Sequence, residues 1–341
     1  MFTKNCKRYI IIKMQTYKIG GLSMKKVLII GGTSFDSMIY LKELPTNQAQ
    51  TIFTNAPLHE TIGSTGARKA LNLIKLGVDT TLHSVIGEDD YGNKITTLLK
   101  QAKVPFVYDI DPLGTKRYVN LIDEAGQQIS IFAVPGSEQP VLDFVRLEQL
   151  ISKCDLVVLN IISYTKQLIH LIQKYNKPIW LDLKDYKIND PYYDVYIQAA
   201  DVIFCSSTHL PKYKQMMRKW MKQGKELIVC THGKDKVTLL TKEDKWSQIS
   251  IVDNYPYKSI NEVGDSFFSG FLYAYLNNKS YDECLSYGMI VTRFCMNEEE
   301  LVQESVEIEY QKYEMTTKEN IRNNEKSIYL TPNNPKQLQL F

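Results

Sequence analysis

Two glycine-bearing stretches set chemically capable side chains at the mouths of helices. In "VGDSFFSGFLYAYL", Phe267, Phe268, Phe271, Leu272, Tyr275 and Leu276 recur at helical spacing, so the pattern starts a helix close to Gly264–Asp265. Free N–H groups at a helix start, with the helix dipole, attract anions such as phosphate. A carboxylate held there can take a proton from an attacking hydroxyl; its plainer role is an N-cap. In "ETIGSTGARKALNL" a Gly-rich turn enters a second helix, as a substrate cradle or simply as a tight strand–helix connection. "LIIGGTSFDSM" sets Asp36 just beyond a first buried strand, where open α/β sheets bind their ligands. Asp36 either grips hydroxyl groups or is a loop carboxylate. "IVCTHGKDKV" carries Thr231 and Gly233 past another strand, and by itself reads as a loop. Neither G-x-G-x-x-G nor a Walker-type loop is present.

The elements that must hold these residues are legible as short apolar runs separated by helical patterns. "VLIIGG", "TTLHSVIG", "DLVVLNI", "PIWLDL", "DVIFCSS" and "ELIVCTHG" read as parallel strands buried on both faces. "ARKALNLIKLG" reads as a covering helix, with Ala70, Leu73, Ile74 and Leu76 inward and Gly77 as its stop. Two segments alternate instead with period two: "TIFTNAPLHETIG" and "GTKRYVNLIDEAGQQISIF", the latter with a turn at "EAGQ". No helix separates their halves, so they predict a small antiparallel sheet, spanning about 38–62 and 105–134, placed as a lid. After about Val306 the pattern fades, and residues 311–341 read as a polar, flexible tail. "MKKVLIIGG" makes Met24 a natural beginning, which leaves residues 1–23 as an expected non-native or disordered extension.

Composition narrows the function classes. The 341 residues are 44% apolar and 23% charged, with a formal net charge of +3, which gives no footprint for nucleic acid. No apolar run approaches the ~18 residues of a membrane span. Six dispersed cysteines without C-x-x-C predict a reduced, cytoplasmic protein, and five dispersed histidines show no metal-ligand spacing.

Taken together, "GGTSFD", "GSTGARKALNLIKLG…VIGEDDYG", the lid strands, "CTHG" and the late "GD" resemble the PfkB carbohydrate kinases, the ribokinase-like family, in order and approximate spacing from Val27 to about Glu300. The resemblance implies a three-layer α/β/α sandwich with a mostly parallel central sheet and a small antiparallel β lid. It also implies phosphorylation of a hydroxymethyl group on a sugar or nucleoside-like molecule by ATP. On that resemblance Asp265 is the catalytic base, and Glu262, Val263 and Gly264 form the anion hole. Asp36, Gly63, Ser64, Thr65 and Arg68 bind substrate, while Thr231 and Gly233 lie along ATP. Magnesium is expected to come with the nucleotide. Relatives often pair through their lids, so a homodimer is a further expectation.

The chain departs from the family pattern in places that matter. The family's late Asp-Thr-x-Gly-Ala-Gly-Asp is Ser259-Ile260-Asn261-Glu262-Val263-Gly264-Asp265 here. Gly-Gly-x-Gly-x-Asn has Ser64 for its second Gly and Arg68 for its Asn, and Asn-x-x-Glu falls on Ser206 and His209. A Glu262 carboxylate ~5 Å from a phosphate charge would cost ~3 kcal/mol at an effective dielectric near 20; pointed at water, it would cost little. Weakened catalysis follows more readily than abolished catalysis, and a ligand-binding pseudokinase is the alternative. Arg68 faces either an anionic substrate group or solvent; the solvated reading is preferred because Lys69 beside it also reads as solvated. The closing "QLQLF", Gln337 to Phe341, resembles the short peptide with which bacterial replication proteins dock on the sliding clamp.

Overall fold

The structure, a computed structural model, describes residues 25–54, 56–184, 186–233, 235–250, 260–296 and 301–329, without the side chains of 260–262 and 317–329. The extension before Met24, the residues around Ser259 and the "QLQLF" terminus lie outside the described residues.

Among the described residues thirteen strands form two sheets: β1 (Val27–Ile30), β2 (Ser34–Tyr40), β3 (His59–Gly63), β4 (Thr80–Ile86), β5 (Phe106–Ile110), β6 (Arg117–Ile122), β7 (Gln128–Val134), β8 (Leu156–Asn160), β9 (Ile179–Asp182), β10 (Val202–Ser206), β11 (Leu227–Thr231), β12 (Lys236–Thr241) and β13 (Trp246–Ser250). The helices are α1 (Thr65–Lys75), α2 (Asp90–Gln101), α3 (Phe144–Lys153), α4 (Ile169–Lys174), α5 (Asp194–Ala199), α6 (Tyr213–Met221), α7 (Ile260–Leu276), α8 (Tyr281–Met296) and α9 (Gln303–Tyr329).

The larger sheet runs β13-β12-β11-β10-β9-β8-β1-β4-β5, parallel from β5 to β11 and antiparallel at β12 and β13. Its central strands β1, β8 and β9 are buried at every position because both faces are covered. Val27 and Ile29 point into the core shared with α1, α2, α7, α8 and α9, while Leu28 and Ile30 point into the core shared with α3, α4, α5 and α6. In the first core the Trp180 ring meets Phe204, Phe268, Phe271 and Tyr275, which fixes α7 across β9 and β10. α1 buries Ala67, Ala70, Leu73 and Leu76 along one stripe and stops at Gly77, whose φ of +76° suits glycine. Asp89 of "GEDDYG" caps α2 by accepting from the Gly92 amide at 2.8 Å, and it also accepts from the Thr115 amide at 2.7 Å.

The second, smaller sheet runs β3-β2-β6-β7. Its two antiparallel pairs, β2–β3 and β6–β7, join along β2 and β6, which run parallel. The turn at "EAGQ" lies between β6 and β7 as the alternation requires. Two boundaries differ from the sequence pattern. Residues 106–110 belong to the edge of the main sheet, because Phe106–Ile110 pairs in parallel with Leu82–Ile86. The smaller sheet begins before residue 38, since "SFDSMIY" is strand β2, and 51–58 contributes no strand among its described residues.

The chain beyond Val306 also differs from the flexible tail that its polarity suggests. It continues as α9, because Val306 and Tyr310, one turn apart, are buried in the first core. Between them Glu307 accepts from the hydroxyls of Tyr273 at 2.6 Å and Tyr287 at 2.7 Å. Removing that shared acceptor leaves two O–H donors without an acceptor, although the Tyr273 oxygen still accepts from Gln303 Nε2 at 3.1 Å. Glu307→Ala is therefore expected to cost about 2–3 kcal/mol, read as a lowered urea midpoint. Exposed Lys312→Ala should stay within about 0.5 kcal/mol.

Candidate active site

Asp265 stands in the second turn of α7 and is 1% exposed. The apolar periodicity starts this helix too late, because it reports only the part that touches the core; α7 begins at Ile260. The amides left without intrahelical partners are thus those up to Glu262, while those of Val263, Gly264 and Asp265 are committed to the helix. The Glu262 side chain, whose repulsion concerned the sequence reading, lies outside the described residues.

The carboxylate of Asp265 is held by groups from three other places in the chain. Thr65, the first residue of α1, donates its hydroxyl to Oδ1. Lys69, one turn further, donates from Nζ to Asp265 Oδ1 at 2.6 Å, Asp182 Oδ2 at 2.8 Å and Thr65 Oγ1 at 2.6 Å. Lys184, just past β9, donates to Asp265 Oδ1 at 2.6 Å and lies 2.9 Å from Asp182 Oδ2. Two ammonium groups and two carboxylates thereby alternate in a neutral buried cluster. Burial pushes the Asp265 carboxyl up, but Lys184, Lys69 and Arg68 outweigh it and hold the group well below the usual carboxylate range. Asp182 is lowered in the same way, its burial overcome by Lys184 and Lys69. Burial pulls Lys184 down, yet the two carboxylates win and raise it.

The smaller sheet brings a further acid alongside α1. Asp36 lies on β2, a strand of the smaller sheet and not a loop after β1, and Arg68 Nη2 sits 3.8 Å from its Oδ2. Arg68 is therefore turned toward Asp36 and away from the solvated role that its neighbours suggested. Burial, opposed by Ser34 and Arg68, raises the Asp36 carboxyl above its ordinary value. Gly63, paired with Ser34 across β2–β3, comes so close that any Cβ would collide with the Asp36 carboxylate. Asp36 Oδ1, Thr33 Oγ1 and both amide atoms of Asn160 are buried without hydrogen-bond partners. Ser64 is the N-cap of α1, with φ 70° and ψ 150°, and makes no capping bond from its side chain.

Thr231 and Ser206 end neighbouring strands β11 and β10, in register with one another. The Ser206 amide donates to the Lys184 carbonyl at 3.2 Å, so this second group adjoins the first at Lys184. His209 is exposed, and Gly233, at φ +58°, has open space around it. The structure thus gathers Asp36, Gly63, Ser64, Thr65, Arg68 and Asp265 in one place and sets Ser206, His209, Thr231 and Gly233 along the adjoining strand ends.

Sequence reasoning missed Lys69, Asp182 and Lys184. Lys69 reads as solvated by residue type, yet it is 0% exposed. Its signal was positional: Lys69, Leu73 and Leu76 share one helical face. Asp182 is an acid inside an apolar strand, which only a partnered site tolerates.

The model of the pfkB family carbohydrate kinases matches residues 24–300. The chain belongs to that family. Among curated relatives, acarbose 7(IV)-phosphotransferase of Actinoplanes sp. is 27% identical over 270 residues, covering 77% of this chain and 89% of the relative. Ribokinase of Arabidopsis thaliana is 22% identical over 292 residues, covering 79% and 76%. Among solved structures, the microbiome-derived acarbose kinase Mak1 superposes with a TM-score of 0.77 at 21% identity, over 85% of this chain and all of that one. Arabidopsis ribokinase complexed with ribose and ATP gives 0.69 at 20% identity, over 83% and 98%. These structures share the ribokinase-like α/β fold with its smaller sheet.

Against the family pattern, Ser64 replaces a glycine at a backbone conformation that is nearly glycine-only. Ser64→Gly should raise stability by about 1–2 kcal/mol, seen as a rise of about 2–4 °C in Tm. Among the described residues no helix is long and apolar enough to cross a membrane, and no group of three His, Cys, Asp or Glu side chains could hold a metal. Lys69→Met leaves its carboxylate partners short of one cation and should cost about 3–5 kcal/mol at neutral pH. The depressed carboxylates contribute stability above their unfolded pKa near 4 and lose it as pH falls through the lower folded values. The gap between wild type and Lys69→Met in denaturant unfolding should accordingly narrow below about pH 4.

Proposed function

We propose that the protein transfers the γ-phosphoryl group of Mg-ATP to a primary hydroxyl of a sugar or nucleoside-like small molecule, with Asp265 as general base. The observation that carries this reading is the convergence on one place of a buried carboxylate on α7, the first turn of α1 and an acid from the lid. Asp36, with an unpartnered oxygen and Arg68 at its side, is suited to orient the substrate. The unpaired Thr33 and Asn160 atoms nearby favour a ligand rich in hydroxyls, since buried polar groups without partners are costly. Asn261 and Glu262 offer amides to anionic oxygens at the start of α7, next to Val263 and Gly264, whose own amides are committed to the helix. Thr231, Gly233, Ser206 and His209 would hold the nucleotide along the ends of β10 and β11. Bound magnesium would neutralise charge on the nucleotide's phosphates. Asp182 and Asp265 already carry ammonium partners, which fits an ion that arrives with the nucleotide and touches the protein through water.

Two further parts of the reading concern assembly and turnover. Ile129 and Ile131 on β7 are 37% and 48% exposed and pair with Leu121 and Val119, which supports a homodimer formed through the lids. A second reading is favoured by one observation: two lysines on Asp265 make it a poor base. That reading is a ligand-binding pseudokinase. ATP consumption across a panel of monosaccharides, nucleosides and acarbose separates the two. Wild type is expected to turn over at least one acceptor, and Asp265→Asn to lose about 10³-fold or more in kcat. Equal silence of both proteins, with a sugar still raising Tm, would establish the pseudokinase instead.

A further inference from the structure

Of the two ammonium groups on Asp265, one is fixed and the other is equipped to leave. Lys69 is fully buried, and its three N–H bonds are spent on Thr65, Asp182 and Asp265. Lys184 has two acceptors among the described residues, Asp265 Oδ1 and Asp182 Oδ2, so one N–H is left over. Its side chain is 32% exposed, against 0% for Lys69. Its backbone, by contrast, is pinned: the Lys184 amide donates to Asp182 Oδ1 at 3.1 Å, and its carbonyl accepts from Ser206. The ammonium group can therefore change partners while its anchor stays in place. Gly264 of α7 puts no side chain in the way, and even an added Cβ would lie 3.6 Å from Nζ, in ordinary contact.

We infer that Lys184 is the cation that engages the transferring phosphoryl group, and that by turning from Asp265 to that group it frees the base. This inference rests on the kinase reading above. With Lys69, Lys184, Asp182 and Asp265 summing to zero charge, an incoming phosphate finds no surplus cation unless one ammonium group exchanges partners. Lys184 is the one with solvent access. Once it has turned, Asp265 keeps only Lys69, Thr65 and the more distant Arg68 from α1, facing Asp182 from β9. Its carboxylate is then held less tightly and becomes more basic. Asp265 takes the hydroxyl proton as the substrate oxygen bonds to the γ-phosphorus. The bond from that phosphorus to the bridging oxygen breaks, and its electron pair leaves on ADP. Lys184 offsets the negative charge on the moving group throughout.

The test compares wild type, Lys184→Met and Lys184→Arg, each first checked for folding by its Tm. Calorimetry measures binding of ADP and of the non-hydrolysable β,γ-methylene analogue of ATP. Lys184→Met is expected to bind the analogue about 10-fold or more weakly while its ADP affinity changes less than about twofold, with most of the loss restored in Lys184→Arg. In turnover, Lys184→Met should lose about 10²-fold or more in kcat with the acceptor KM nearly unchanged. Loss of a cation from the free enzyme raises the Asp265 pKa, so the acid limb of kcat/KM should move to higher pH by about one unit or more. An unchanged ratio of analogue to ADP affinity in Lys184→Met overturns the role of Lys184, even in an active kinase. Failure of wild type to bind either nucleotide overturns the kinase reading and this inference together.

Discussion

The buried ammonium group of Lys69 is the tie on which the rest of the site depends. From the first turns of α1 it reaches Asp182 at the end of β9 and Asp265 on α7, joining three segments far apart in sequence at distances of 2.6–2.8 Å. An unpaired charge at 0% exposure would be expelled or neutralised; alternation with two carboxylates and a second lysine makes it tolerable. The geometry of Asp265 is consequently inherited from the packing of α1 against α7. The aromatic contacts of Trp180 and the stripe Ala67–Ala70–Leu73 position the acid as surely as its own hydrogen bonds do.

Much of the scaffold was legible in the sequence because a strand buried on both faces has little choice of residue. "VLIIGG", "DLVVLNI" and "ELIVCTHG" admit few other readings, and the "EAGQ" turn marks its hairpin plainly. What escaped were features decided by partners. The polarity of α9 hid two anchors, Val306 and Tyr310, and one acid that serves two tyrosines. "SFDSMIY" was hidden by its polar half, since β2 is buried through Asp36 and Ser37 as well as through Phe35 and Met38. Lys69 escaped because residue type outvoted position. Asp265 itself was legible, as was its place on a helix; its distance from the helix start was not, since the turn that precedes it does not contribute to the apolar stripe.

Ser64 shows a different economy. Its dihedral angles belong to a region that side chains avoid, and it makes no capping bond from its hydroxyl. The conformation is imposed from both ends: Gly63 must pass close under the Asp36 carboxylate, and Thr65 must present its hydroxyl to Asp265. A chain that has to satisfy both within three residues has no relaxed path between them. The strain is thus the local expression of joining the smaller sheet to α1 by so short a connection.

That connection separates two responsibilities. Asp36 rides on the smaller sheet, whereas Asp265, Asp182 and both lysines belong to the main layers. Changes along β2, β6 and β7 can reshape the smaller sheet around Asp36 while the ion cluster remains untouched. The fold is thereby modular in an evolutionary sense: one sheet can drift in sequence while the ion cluster stays under the constraint of the other.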